Sequence, residues 1–143
     1  MGRIMALDLG EKRIGVAVSD PSHTIARPLA ILPRHSRRAV AEALARLIAE
    51  HDVEAVVVGL PRSLSGEEGP QAWWVRREAE ALARHLPVPI VFWDERLSTA
   101  TAAAYRAMRG RRRHDPLDAE AAAVILQDYL EARRSAAPPG PPD

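Results

Sequence analysis

MALDLGEKRIGVAVSD, residues 5–20, is the stretch that decides the fold of this chain. Residues 4–9 are typical of a short buried strand, and Asp8 is the only carboxylate in it. A tight turn follows, and hydrophobic residues then recur at every second position over 13–19, which predicts a second strand. A carboxylate at the end of a core strand is costly to desolvate unless a cation or hydrogen-bond donors meet it. Asp8 therefore either caps its own turn or belongs to a functional site, and the local sequence leaves both interpretations open.

The composition is that of one domain with its own core. The chain has 143 residues, no cysteine and a formal net charge of +1. Disulfides and thiolate metal sites are excluded, and the overall charge does not indicate a polyanionic partner. No long apolar run and no leader with a cleavage site is present, which predicts a cytoplasmic protein with no membrane partner. The basic residues are almost all arginine, which holds phosphate oxygens in bidentate contacts.

The order of the predicted elements indicates a mixed sheet. Beyond the first two strands, we predict three further strands, over 25–32, 53–60 and 89–93. We also predict four helices: one capped by Ser36 that ends near 51–52, one over 71–85, one from Ser98 or Thr99 to about 108, and one over 117–133. Pro28 marks the third strand as an edge strand. Three antiparallel strands followed by alternating helices and strands predict an α/β, ribonuclease H-like five-stranded mixed sheet with helices on both faces. We assign residues 1–134 to this domain and 135–143 to a disordered, Pro-rich tail.

Carboxylates occur at several predicted strand ends and helix starts. They are Asp8, Asp94, Glu95, Asp115 and Asp118. A hard divalent cation such as Mg²⁺ or Mn²⁺ prefers oxygen ligands, and two such ions about 4 Å apart can activate a water and stabilise the leaving oxygen of a phosphodiester. Each acid alone also has a plainer interpretation, as a polar strand end or a helix-start residue. Their expected convergence on one edge of the sheet favours a metal-dependent nuclease.

Four motifs, in this order, resemble a known family. They are DLGEKRIGVAVSD at 8–20, VGLP at 58–61, DERLST at 94–99 and DAEAAAVILQDYL at 118–130. Together they resemble the YqgF/RuvX family, whose ribonuclease H-like members are regarded as pre-16S rRNA nucleases and as relatives of Holliday-junction resolvases. The resemblance covers nearly everything except the tail. It implies a metal-dependent nuclease of ribosome biogenesis that binds Mg²⁺ or Mn²⁺, with RNA as the favoured substrate and branched DNA as the alternative.

The resemblance also implies which residues form the site. The three acidic positions of the family fall on Asp8, Glu95 and Asp118, which would be the metal ligands and the catalytic set. Asp94 would support them. Asp115 is not a regular feature of the family, but it lies three residues before Asp118, so we treat it as a hypothetical fourth carboxylate of the metal site.

Basic residues cluster directly before the third acidic motif. The candidate nucleic-acid-binding residues are Lys12, Arg13, Arg62, Arg96, Arg109, Arg111, Arg112 and Arg113. Those at 109–113 would hold the substrate backbone near the acids, and each phosphate contact would make binding more salt-dependent. A solvated loop is the alternative interpretation of this charge run, and Arg96 could instead anchor a carboxylate of the site.

Trp73 and Trp74 are adjacent on a predicted helix. They point about 100° apart, so both cannot easily be buried. We interpret the pair as including a partly buried core residue; stacking on an unpaired base and a dimer interface are the alternatives.

Two functions of other classes share some of these features. The turn after Asp8 also resembles the phosphate loop of actin- and Hsp70-like ATPases, but those proteins clasp the nucleotide between two such domains and this chain has room for one. A non-catalytic nucleic-acid-binding module could keep the acidic residues for stability.

The chain would act as a monomer or a homodimer, and a junction resolvase would need two symmetric sites.

Overall fold

The computed structural model describes residues 2–60, 69–94 and 119–136. The elements in these ranges are β1 (Arg3–Leu9), β2 (Arg13–Ser19), β3 (Ala26–Pro33), α1 (Arg37–Glu50), β4 (Val53–Leu60), α2 (Pro70–Ala83), β5 (Ile90–Asp94) and α3 (Ala119–Ala136). Each was predicted from the sequence, with ends that differ by a few residues at most. The helix predicted from Ser98 or Thr99 to about residue 108 lies outside the described residues.

The strands form one mixed sheet in the order β3-β2-β1-β4-β5. β2 pairs antiparallel with both β1 and β3, whereas β4 pairs parallel with both β1 and β5. β1 is therefore the central strand, and β3 is an edge strand as Pro28 predicted. Parallel strands have to be joined by a crossover connection, which is usually a helix. Here α1 lies between β3 and β4, and α2 lies between β4 and β5.

Helices cover both faces of the sheet, as predicted. Side chains of β1 alternate between the faces because successive residues of a strand point in opposite directions. Met5, Leu7 and Leu9 join a buried cluster with α1 and α2, whose contributions include Val40, Leu44, Ile48, Val75, Ala79 and Leu82. Ile4 and Ala6 join a second buried cluster with α3, which contributes Ala122, Ala123, Ile125, Leu126 and Leu130.

Buried polar side chains fasten α3 to the sheet. Gln127 accepts a hydrogen bond from Ala26 N at 2.9 Å and donates one to the Thr24 carbonyl oxygen at 3.2 Å, which joins α3 to the start of β3. Trp93 Nε1 of β5 donates to Asp128 Oδ2 at 3.1 Å. Because these polar groups are paired, burying them in the layer between helix and sheet does not leave hydrogen bonds unmade.

Local sequence explains where the helices begin and end. Ser36 caps α1, as predicted, and its side chain accepts from Ala39 N at 3.0 Å. α2 begins with Pro70 after Gly69, a position where the missing N–H of proline costs nothing. α3 continues through residues 135 and 136, two residues into the predicted tail, while 137–143 lie outside the described residues. None of the helices in the described ranges has the length and apolarity needed to span a bilayer.

Candidate active site

Asp8 lies near the carboxyl end of the central strand. It is half-buried, and the alternation of β1 places it on the same face as Ala6, the face covered by α3. On β2 its direct partner is Gly15, and on β4 the residue level with it is Gly59, which follows Val58, the partner of Leu7. Both neighbouring strands therefore carry a glycine at this level, and both glycines are buried.

A cleft opens at the same end of the sheet. It has a volume of about 740 Å³, within the range of about 300–1,000 Å³ that is common for small-molecule sites. The β1–β2 turn and the first turns of α2 form its walls, through Asp8, Leu9, Gly10, Glu11, Lys12, Pro70, Gln71 and Trp74. The walls of the cleft thus include an acidic residue at a strand end, an exposed lysine and an aromatic residue.

Arg34 connects the walls of this cleft. Its backbone N–H donates to the Lys12 carbonyl oxygen at 3.0 Å, and its Nη2 donates to Glu78 Oε1 of α2 at 2.6 Å. Its guanidinium carbon lies 5.3 Å from the centre of the Trp74 ring, a distance typical of a cation–π contact. The β1–β2 turn and α2 are therefore held in one geometry by a single side chain and its backbone.

Glu78 is a buried carboxylate with two cationic partners. Arg37 Nη2 lies 2.8 Å from Glu78 Oε2, on the other oxygen from Arg34. The hydrogen bond from Arg37 lowers the pKa of Glu78 below its usual value; burial opposes this shift, and the hydrogen bond from Arg34 adds to it. Glu78 is thus ionised near neutral pH and joins α1, α2 and the chain after β3.

The structure describes only part of the predicted site. Lys12 and Arg13 are exposed at the β1–β2 turn beside Asp8, and Lys12 lines the cleft. Asp94 is the last residue of β5, and its backbone is opposite Leu60, so it ends at the same edge of the sheet as Asp8, two strands away. The other predicted site residues lie outside the described residues: Glu95, Asp115, Asp118, Arg62, Arg96, Arg109, Arg111, Arg112 and Arg113.

The described ranges contain only some of the oxygen ligands that a hard cation needs. Asp8 has the right donor atoms. Within 2–60, 69–94 and 119–136, however, no group of three or more His, Cys, Asp or Glu side chains is close enough to hold a metal. A metal site built on Asp8 therefore needs ligands from residues beyond these ranges.

Several residues around Asp8 and α2 were not identified from the sequence. Glu78 carried a usable signal, since it occupies the same helical face as Val75, Ala79 and Leu82, and a charged residue on a buried face requires a partner. The sequence carried no signal for the two glycines that flank Asp8, because their position depends on the register between strands that are distant in sequence.

Comparison with protein families gives a match over most of the chain. A family model described as "RuvX: Holliday junction resolvase" matches residues 2–132. A curated relative from Chloroflexus aggregans, named "Putative pre-16S rRNA nuclease", is 46% identical over 136 residues, which cover 92% of this chain and 95% of the relative. A relative of the same name from Streptomyces coelicolor is 44% identical over 144 residues, covering 97% and 86%.

Solved structures share the fold at low sequence identity. RuvC from T. thermophilus, in complex with a Holliday junction substrate, superposes with a TM-score of 0.64 at 16% identity and covers 98% of this chain and 100% of its own. The fowlpox virus Holliday junction resolvase gives a TM-score of 0.54 at 14% identity, covering 91% and 99%. These likenesses confirm the ribonuclease H-like α/β fold.

Proposed function

This chain belongs to the RuvX family, and from that premise we propose that it is a metal-dependent nuclease that hydrolyses phosphodiester bonds in the processing of pre-16S rRNA. The observation that carries the proposal is Asp8, a half-buried carboxylate at the end of the central strand, between two glycine positions and at the wall of an open cleft. The name shared by the curated relatives supports RNA as the substrate.

The proposed metal ligands are Asp8, Glu95 and Asp118. Glu95 follows Asp94 of β5 in the sequence, and Asp118 precedes α3, the helix that covers the Asp8 face. Asp94 and Asp115 are the proposed supporting carboxylates. When bound, Mg²⁺ or Mn²⁺ in a pair would activate a water molecule and stabilise the leaving oxygen of the phosphodiester.

The chain's own residues would bind and orient the substrate. Half-burial of Asp8 reduces the screening of its charge by water, which strengthens its attraction for a cation. Lys12 at the cleft wall would neutralise a phosphate, and Arg13 would extend the same positive surface. Arginines 62, 96, 109, 111, 112 and 113 are proposed as further backbone contacts.

A cleavage assay tests the proposal. Wild type and Asp8→Asn are incubated with single-stranded RNA, RNA duplex and four-way DNA, with Mg²⁺ and with Mn²⁺. We expect wild type to cleave RNA, and Asp8→Asn to lose at least about a hundredfold in rate while binding is retained, because the substitution removes the charged ligand without changing shape. Asp52→Asn is the matched control: Asp52 is exposed at the opposite end of the sheet, and its φ of 54° is tolerated by Asn.

Two other results would point to different functions. If wild type binds nucleic acid but cleaves nothing with either metal, the chain is a binding module and the nuclease proposal is wrong. If it cuts only four-way DNA, as a dimer with paired symmetric nicks, it is a junction resolvase. The family description and the structural relatives that bind Holliday junctions motivate this second candidate.

A further inference from the structure

Trp73 is a large apolar side chain that the core does not use. It is 57% exposed, although its neighbours on α2 are well packed. Val75, two positions later on the helix, lies on the buried face, so Trp73 points about 160° away from that residue. Core packing therefore does not account for a tryptophan at this position.

Arg77 covers one face of this ring. Its guanidinium carbon lies 4.7 Å from the ring centre, one turn later on α2, a geometry typical of a cation–π contact. The contact restrains the ring, so less side-chain entropy remains to be lost when another flat group binds. It also places a positive charge at the edge of the aromatic surface.

Trp73 directly precedes a residue that lines the cleft beside Asp8. Trp74, the next residue, is half-buried and lines that cleft together with Lys12 and Gln71. A base stacked on Trp73 would therefore be attached to a backbone that runs past the cleft wall. Positive charge follows the same path, from Lys12 in the cleft to Arg77 on the outer side of α2.

A second copy of the chain is a poorer occupant of this surface. The other large apolar side chains that stand out as exposed in the described ranges are Ile25 and Ile31. Ile25 lies in the β2–β3 turn and Ile31 in the edge strand β3, so neither extends the surface around Trp73 on α2. A stable dimer interface needs a contiguous apolar core, whereas a single ring with one cation on it matches a nucleobase joined to phosphates.

We propose that Trp73 stacks on an unpaired base of nucleic acid bound at the Asp8 cleft, so that the protein prefers substrates that are single-stranded or locally unpaired over continuous duplex. This inference rests on the proposed nuclease function and adds a substrate class to it. The physical reason for the preference is that both faces of a base inside a duplex are already covered by its neighbours, whereas an unpaired base has a free π-face.

Binding measurements in the Asp8→Asn protein test the inference without cleavage. The probes are a labelled single-stranded RNA, a hairpin with a bulge and a blunt RNA duplex of equal length. We expect Trp73→Ala in this background to weaken binding of the first two about tenfold and of the duplex less than about twofold. Trp73→Phe should retain most of the affinity, because a smaller aromatic ring still stacks.

Ile25→Ala is the matched control, since it removes an exposed apolar side chain of similar accessibility, 63%, from another part of the surface. It should bind all three probes like the parent protein. Trp73 also supplies an optical readout: stacking should quench tryptophan emission on addition of single-stranded RNA, and Trp73→Phe should lose most of that quenching. Thermal unfolding checks that each variant is folded.

Two kinds of failure are distinguishable. If the parent binds RNA and Trp73→Ala weakens all three probes equally, or none, the stacking inference is wrong and the nuclease proposal stands. The stacking inference is also wrong if light scattering shows a dimer that Trp73→Ala converts to a monomer. If the parent binds no nucleic acid and wild type cleaves none, the proposed function fails and the inference fails with it.

Discussion

Asp20 shows how one charged side chain closes a turn of this protein. Its Oδ1 accepts hydrogen bonds from Thr24 N at 2.7 Å and Ile25 N at 2.9 Å, and the Ser22 hydroxyl donates to its Oδ2. The bond from Ile25, then those from Ser22 and Thr24, hold the pKa of this carboxyl well below its usual range. The ionised form is therefore the one that closes the β2–β3 turn.

We predict that Asp20→Asn lowers the free energy of unfolding by about 1 kcal/mol at neutral pH, because Asn keeps an acceptor oxygen but loses the charge. The folded pKa lies below the unfolded value of about 3.9, so this stabilisation is present above about pH 4 and is lost as pH falls through the folded pKa. Urea unfolding of both proteins at pH 7, 5 and 3 measures it. A difference that stays constant over this pH range would contradict the prediction.

At the scale of elements, α2 is held by an ion-pair network as well as by apolar packing. The side chain of Arg34 is 17% exposed and that of Glu78 is 10% exposed, whereas the side chain of Arg37 is 62% exposed. Water screens the second ion pair much more than the first. The network therefore positions α2 mainly through Arg34, the same residue that contacts Trp74 and the Lys12 carbonyl.

We predict that Arg34→Met lowers the free energy of unfolding by about 2–3 kcal/mol, since it leaves the buried Glu78 carboxylate with one exposed partner. Arg37→Met, the control, should cost less than about 1 kcal/mol. Because the pKa of Glu78 is lowered in the folded protein, its stabilising effect is present above about pH 4.3 and is lost as pH falls through the folded pKa. Equal losses in the two variants at pH 7 would show that the network does not depend on burial.

At the scale of the whole molecule, the two helical layers approach the sheet differently. On the α1 and α2 face, large aliphatic side chains such as Leu7, Leu44 and Leu82 fill the interlayer space. On the α3 face, the buried cluster includes several alanines, among them Ala6 and Ala17 of the sheet and Ala122 of the helix. Small side chains let α3 pack close to the sheet, so its position depends on alanine being retained there.

We predict that Ala122→Leu lowers the free energy of unfolding by about 1–3 kcal/mol, because the added atoms have no space in this layer. If Asp118 and Asp8 act together as proposed, moving α3 away from the sheet should also lower the rate of RNA cleavage. Ala49→Leu, at an exposed position of α1, is the control for adding the same side chain to a helix. Urea unfolding and the cleavage assay measure the two effects, and an unchanged stability of Ala122→Leu would refute the close-packing interpretation.

Local sequence patterns were sufficient to predict the elements. The alternation at 13–19 and the apolar run at 53–60 correspond to β2 and β4, and Ser36 caps α1. Such features depend on residues near each other in the chain, so they are readable without a structure. The motif order likewise identified the family and the fold. The roles of Glu95 and Asp118 stay predictions, because these residues lie outside the described ranges.

The tryptophan pair shows what local sequence patterns do not predict. The helical period showed that both rings cannot easily be buried, but it did not show that Trp74 would line the Asp8 cleft while Trp73 is exposed under Arg77. That choice depends on which side of α2 faces the sheet. Packing of the entire helix against β-strands from other parts of the chain determines this.

The sequence by itself determined the order of the strands and helices, the family and the candidate acids, because each is encoded in local spacing and in contiguous motifs. Only the tertiary structure decided that Gly15 and Gly59 flank Asp8 and that Arg34 ties the first turn to Glu78. Strand register and helix orientation bring these residues together across long stretches of chain, and both are set by the packing of the whole core. Asp8 thus became a half-buried residue flanked by two glycines, beside a cleft whose walls are held in place.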